Sequence, residues 1–263
     1  MKGNFIPVDY NKVSPLYDTG RTAHPETVEK LIRLLHIDKN SMILDIGCGT
    51  GNYTHALQKT SKEVIGLDLS LGMLVQAIAK HVDLSFIWCD VRSLPFRYEV
   101  FNGAFAIQVL HHVKEKEQFL KETCRVLKEN ASIAIHACSH RQMRSFWFYH
   151  YFPKGLQVDL ARMPDSNEIA GLLKKSGFSD IGIEVCYQDV VVAGETPERY
   201  LDKDYLASAS TFAFLTEEEI ESGCREIRKD VVSGAAKDIV RKSEKKVAGK
   251  VGGSCIIYGR KIG

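Results

Sequence analysis

No run of 18 apolar residues occurs anywhere in the 263-residue chain, so the sequence predicts no membrane-spanning helix. An excess of one charge is missing too. Lys and Arg number 35 against 33 Asp and Glu, a net charge of +2, which leaves no broad electrostatic footprint for nucleic acid. The seven cysteines are odd in number and contain no C-x-x-C pair, which argues against both a disulfide framework and a zinc site. Cys89, Cys138, Cys186 and Cys255 lie in apolar, strand-like runs, where a free thiol behaves as a small hydrophobe. There is no internal repeat and no low-complexity segment. Met1 to Tyr10 lacks the apolar core of a signal peptide, and the expectation is a cytoplasmic protein. What is present is ordinary for a globular chain, at 44% hydrophobic and 26% charged. The length suits one α/β domain with an embellishment.

The informative stretch is Ile43-Leu44-Asp45-Ile46-Gly47-Cys48-Gly49-Thr50-Gly51, an apolar strand running into a glycine-rich turn. A second strand, Val64 to Leu69, carries an acid at Asp68. Glycines let backbone approach a ligand where a Cβ would clash, and an acid about 20 residues on accepts ribose hydroxyls in dinucleotide folds. The spacing here is G-x-G-x-G (Gly47, Gly49, Gly51), whereas a dinucleotide turn has G-x-G-x-x-G. Asp45, two residues before the first glycine, would repel a pyrophosphate but could pair with an ammonium, directly or through water. An amino-acid tail on a nucleoside satisfies both acids, and S-adenosylmethionine is such a molecule. A nicotinamide oxidoreductase conflicts with the spacing and with Asp45.

On these residues the chain resembles the class I S-adenosylmethionine-dependent methyltransferases, in particular the small-molecule group that includes quinone-biosynthesis enzymes. The resemblance is close from Asn40 to Phe178. It implies a Rossmann-like, doubly wound α/β fold: a seven-stranded, mostly parallel sheet with a helical N-terminal flap and a helical insertion before the last strand. The implied cofactor contacts are Asp45, Gly47, Cys48, Gly49, Gly51, Asp68, Leu69, Met73, Asp90, Val91 and Gln108, with Asp90 reaching the adenine amine. Tyr17 would cover the sulfonium from the flap and Arg21 would pair with the cofactor carboxylate. The fourth strand of the family begins with Phe-Asp; here the acid is Asn102, a mild change if the residue only caps the strand.

Apolar periodicity predicts strands near 42–46, 63–68, 85–89, 103–108, 132–138, 182–187 and 254–260, alternating with helices near 53–59, 73–80, 116–127 and 166–176. His24-Pro25 opens an earlier helix with Val28, Leu31, Ile32 and Leu35 on one face. Asp165 with Glu168, and Thr216 with Glu219, read as capping boxes, and Gly177 as a helix stop. As one domain, the chain divides into a flap and helix (1–39), a cofactor-binding core (40–190), a lid or arm (191–250) and a last strand (251–263). In the arm, a single long helix would place Ile220, Cys224, Ile227 and Val231 on one face. Its acids, Glu217 to Glu219, crowd the start, and Lys242, Lys245 and Lys246 the end.

A sulfonium brings its own activated methyl and leaving group, so the reaction does not call for a metal. A hydroxyl or acidic carbon acceptor would need a base, and His111 and His112, after the fourth strand, are the candidates. Arg141 and Arg144 are candidate contacts for an acidic substrate, and Trp147 and Tyr149, in the aromatic stretch 146–152, for an apolar or aromatic one. That stretch equally suits burial under the insertion or a homodimer interface. His136 and His140 fall on a strand and its exit, a poor spacing for a metal pair. No Asn/Asp-Pro-Pro-Tyr/Phe motif of nucleic-acid amino-methyltransferases follows strand four. The remaining alternative is a non-catalytic S-adenosylmethionine-binding regulatory or interaction protein.

Overall fold

The computed structural model describes residues 9–14, 17–18, 22–189 and 196–263. Its elements run α1 (Tyr10–Val13), α2 (Pro25–Leu34), β1 (Met42–Ile46), α3 (Asn52–Gln58), β2 (Glu63–Asp68), α4 (Leu71–Lys80), β3 (Ser85–Trp88) and β4 (Phe101–Ile107). Next come α5 (Lys116–Val126), β5 (Leu127–Ala137), α6 (His140–Met143), α7 (Phe148–Tyr151), α8 (Pro153–Arg162), α9 (Ser166–Lys175) and β6 (Phe178–Cys186). The chain ends with α10 (Lys203–Ser208), α11 (Glu217–Ser233), α12 (Ala235–Lys246) and β7 (Ser254–Lys261).

The seven strands form one sheet in the order β3-β2-β1-β4-β5-β7-β6. β1 to β5 pair in parallel, while β7 inserts antiparallel between β5 and β6. This is the Rossmann-like architecture expected from the sequence. Alternation along the strands splits the core by face. Leu44, Ile46, Ala104, Ile133 and Ile135 pack with Phe119, Leu120, Ile169 and Leu173 of α5 and α9. Ile43, Phe105 and Ala134 face the other way, onto Leu31, Leu34 and Leu35 of α2 and its exit.

β1 and β2 have the limits the periodicity predicts, because both are buried apolar runs ended by sharp turns. β5 begins five residues earlier than read, since Lys128, Glu129 and Asn130 are exposed and show no apolar signal. Asn102 supplies an acceptor where the family has an acid: its Oδ1 takes Met42 N–H and Lys128 Nζ, each at 3.1 Å.

Two local expectations need correction. Asp165 precedes α9 but makes no side-chain cap; its Oδ1 instead accepts the N–H of His140 at 2.7 Å, a tertiary bond that outcompetes the local one. The long helix of the insertion is two, because Gly234 takes a left-handed conformation (φ 82°) between α11 and α12. The Thr216–Glu219 capping box does form.

The insertion builds a second core. Phe146, Trp147, Phe148, Tyr149, Tyr151 and Phe152 are buried against Tyr200, Leu206, Phe212, Cys224 and Ile227. Helix α11 comes so close that a Cβ on Gly223 would lie 2.3 Å from Phe152. Tyr149 Oη donates to buried Asp159 at 2.7 Å, and Asp159 also takes Thr211 Oγ1 (2.7 Å) and Arg162 Nε (2.7 Å).

Candidate active site

β1 delivers its turn against the end of β2. Gly47 and Cys48 donate their N–H groups to Leu67 O at 2.8 and 2.9 Å. Gly47 (φ 72°) is needed for close approach, since a Cβ there would fall 2.4 Å from Val109 Cγ2. Gly49 (φ 55°) is different: among the described residues its added Cβ would meet only Tyr17 Cε1, at 3.8 Å. Backbone is therefore open on this side of the turn, under the flap. Gly51 caps α3 from the left-handed region.

Asp68 ties the turn to the next helix. Its Oδ2 accepts Gly49 N–H at 2.9 Å and its Oδ1 accepts Ser70 N–H at 2.8 Å. Burial still raises its carboxyl above the usual range. Asp45 is 1% exposed, and its Oδ2 accepts Thr54 Oγ1–H at 2.6 Å. Burial, with the nearby Asp68 charge adding to it, pushes its pKa to about 7. The Cys48 thiol is raised well above its ordinary value, first by burial and then by these two acids, so it stays protonated and does not act as a thiolate.

The flap is fastened to this turn by Asp18, which takes Thr50 Oγ1 (2.6 Å), Asn52 Nδ2 (3.1 Å) and Lys80 Nζ (2.6 Å). Tyr10 reaches the far side of the site, its hydroxyl 2.8 Å from His112 Nε2. The role of Asp18 and that of Thr54 were not read from the sequence. The available signal is the polar alternation Thr50, Asn52, Thr54 directly after the glycines.

Beyond β4, Gln108 sits in a strained left-handed conformation (φ 56°), its N–H on His136 O at 3.0 Å. Its Nε2 lies 3.4 Å from His136 Nδ1. With His111 and Cys138 these residues line a small cavity of about 10 Å³. His111 is 8% exposed, and its ring lies 3.9 Å from that of His112. His136 Nε2 bonds Ser254 Oγ (2.9 Å) and Asp189 Oδ2 (3.1 Å), whereas His140 Nε2 bonds Met163 O (2.8 Å). Each of these histidines has separate work within the fold.

Several expected contacts are placed elsewhere. Met73 is 2% exposed and packs inside α4, offering no surface to a ligand. Leu69 stays exposed beside Asp68, as a contact would require, whereas Val91 is half-buried against the main core. The Asp90 carboxylate is engaged by Arg92, whose Nη2 lies 2.6 Å from Oδ2 and whose Nη1 also holds Glu115. That fork occupies the oxygens expected for an adenine amine. Trp147 and Tyr149 are buried in the second core, because the insertion needs an apolar base, so they do not line an acceptor pocket or a dimer face. Arg141 and Arg144 are exposed on a cleft beside α6. Arg21 lies outside the described residues.

Residues 44–135 match the family model described as a methyltransferase domain. The chain is 28% identical over 196 residues to the demethylmenaquinone methyltransferase of Renibacterium salmoninarum, covering 65% of this chain and 83% of that protein. These matches identify residues 44–135 as a methyltransferase domain of the class I S-adenosylmethionine-dependent kind. A crystal structure described as a methyltransferase from an antibiotic biosynthesis pathway of Anabaena variabilis superposes on this methyltransferase with a TM-score of 0.76 at 25% identity, covering 91% of this chain and 98% of that one. A malonyl-[acyl-carrier protein] O-methyltransferase of Salmonella typhimurium is 26% identical over 130 residues, 49% of this chain and 52% of its own length. The cofactor of the enzyme is S-adenosylmethionine. Among the described residues no helix is long and apolar enough to cross a membrane.

Proposed function

We propose that this methyltransferase moves its methyl group to a small-molecule acceptor by in-line displacement, with the acceptor held beyond β4 and β5. The observation that carries the reading is the pair of acids around the turn. Asp68 is fixed by two backbone N–H groups with oxygen lone pairs to spare, and Asp45 is a carboxyl buried behind the turn, its pKa raised chiefly by that burial and its Oδ2 held by Thr54 Oγ1–H. The residues present fit the cofactor: Asp68 suits the ribose hydroxyls, the open side of Gly49 suits a close backbone approach, and Asp45 suits the ammonium through a bridging group. Gly47, Cys48 and Gly51 shape the turn rather than touch the ligand with side chains.

When bound, S-adenosylmethionine supplies an activated methyl and its own leaving group. The chain then has to orient the acceptor and exclude water, work that can lower a barrier by roughly 7–11 kcal/mol. Tyr17 and Tyr10, held by Asp18 and His112, cover the site on the flap side. His112, half-buried with its Nε2 hydrogen-bonded to Tyr10 Oη, is the base candidate for an acceptor that must lose a proton. His111 is buried and shapes the turn. A small-molecule acceptor accords with the relative named a demethylmenaquinone methyltransferase, while the other relative is named for malonyl-[acyl-carrier protein].

The test is turnover of S-adenosylmethionine to S-adenosylhomocysteine over a panel of quinol, phenol, carboxylate and phosphate-ester acceptors, with Asp68→Ala as control. Acceptor-dependent turnover lost in the variant is expected. No acceptor-dependent turnover across the panel, by a protein that binds the cofactor, would overturn the small-molecule reading.

A further inference from the structure

Beside α6 lies an open cleft of about 450 Å³ lined by Arg141, Arg144, Ser145, Lys246, Lys250 and Val251. Such a volume is that of a small-ligand site. Four of its six lining residues are cations, and none is an acid. Among the described residues no carboxylate forms an ion pair with any of the four. Arg92, Arg125, Arg162 and Arg228, by contrast, each have a carboxylate partner. Four like charges converging on one concavity repel each other, a cost that an anion removes.

The cleft has a rigid frame. Lys246 ends α12, and the chain then turns through a π-helical segment, Val247–Val251, which sets Lys246 and Lys250 at either end of one turn. Gln142, 1% exposed on α6, donates its side-chain amide to Val251 O (3.3 Å) and Ser254 O (2.6 Å), locking the two walls together. Ser243 Oγ donates to Ser145 O at 2.5 Å and closes the base. α6 follows the carboxyl end of β5, and Cys255 at the start of β7 pairs with Ala137. The cleft therefore opens on the rim where ligands of parallel sheets bind.

We infer that this cleft binds a multiply charged anionic group, a phosphate or polyphosphate, using Arg141 and Arg144 from one wall and Lys246 and Lys250 from the other. The arginines offer planar forks for phosphate oxygens and the lysines point charges, so a ligand with at least two negative charges is matched. The inference deepens the proposed function and rests on it for one point only, that the anion is the acceptor's charged end.

The experiment titrates inorganic pyrophosphate by calorimetry, at low and moderate salt, into protein saturated with S-adenosylhomocysteine. Wild type is compared with Lys246→Gln/Lys250→Gln and with Arg141→Gln/Arg144→Gln. The expected result is saturable binding, weakened by salt, and about ten-fold or more weaker in each double variant, with melting temperature and S-adenosylhomocysteine affinity unchanged. No binding at millimolar pyrophosphate, or equal binding by all three proteins, would overturn the site. Failure of the methyltransferase reading shows separately, as loss of S-adenosylhomocysteine binding in the wild type. Competition between pyrophosphate and a productive acceptor identifies the anion as part of the acceptor; binding without competition identifies a free anion, and both outcomes retain the site.

Discussion

Replacing Asp45 by Asn should flatten the pH dependence of stability of the ligand-free protein. The carboxyl is fully buried, and its pKa is raised from 3.8 to about 7, chiefly by burial. A carboxyl with a folded pKa above its unfolded value holds its proton more tightly when folded. The site thus costs nothing below the unfolded pKa, and its cost grows as pH rises through the window from 3.8 to about 7. The gap corresponds to about 4 kcal/mol at full ionisation, or roughly 10 °C of melting temperature in a chain of this size. Asn keeps a carbonyl for Thr54 Oγ1–H and has no proton to lose, at the expense of about 1 kcal/mol for a lost acceptor. Melting curves from about pH 4 to pH 8 should show wild type ahead at the acid end and Asp45→Asn ahead at the alkaline end. S-adenosylhomocysteine, which carries an ammonium, should narrow the alkaline difference and should release protons on binding to wild type near pH 7. Parallel pH profiles for the two proteins would refute the placement of a buried carboxyl with a raised pKa behind the turn.

Gly223→Ala should destabilise the cap by about 1–3 kcal/mol despite the better helix propensity of Ala, because the new Cβ would lie 2.3 Å from Phe152 and 2.7 Å from Tyr151 O; thermal denaturation checks this. Arg125→Lys should cost about 1–3 kcal/mol by denaturant unfolding, since one guanidinium joins Phe96 O (2.8 Å), Leu94 O (3.0 Å) and both oxygens of Glu122, a fork that an ammonium cannot reproduce.

The legible parts of the molecule are those where local pattern and tertiary environment agree. Buried apolar strands ended by glycine turns made β1 and β2 readable to the residue, and the face Ile220–Cys224–Ile227–Val231 packs on the second core as its spacing predicts. Aromatic residues at 146–152 were ambiguous because a pocket wall and a core present the same side chains to a reader of sequence. Only the insertion, contacting them from far along the chain at Tyr200, Leu206, Phe212, Cys224 and Ile227, decides for burial. Asp165 shows the same limit in polar form, its cap role lost to a bond with His140. The cationic cleft was half visible, in Arg141 and Arg144. Its other wall depends on the break at Gly234 and the π-helical turn that bring Lys246 and Lys250 across.

Binding of S-adenosylmethionine as proposed needs a nucleoside pocket built on Asp68 and the glycine turn. Calorimetric titration of S-adenosylhomocysteine, with NAD as control, into wild type, Asp68→Ala and Asp68→Asn tests it most directly. Two ribose hydroxyls on a charged acceptor are worth about 1.5–3 kcal/mol each, so tight binding to wild type, at least ~100-fold weaker binding to Asp68→Ala, and no NAD binding are expected. Asp68→Asn retains one backbone acceptor for the turn and should fold while still binding poorly. Equal affinity of a folded Asp68→Asn for S-adenosylhomocysteine, or preference of the wild type for NAD, would contradict it.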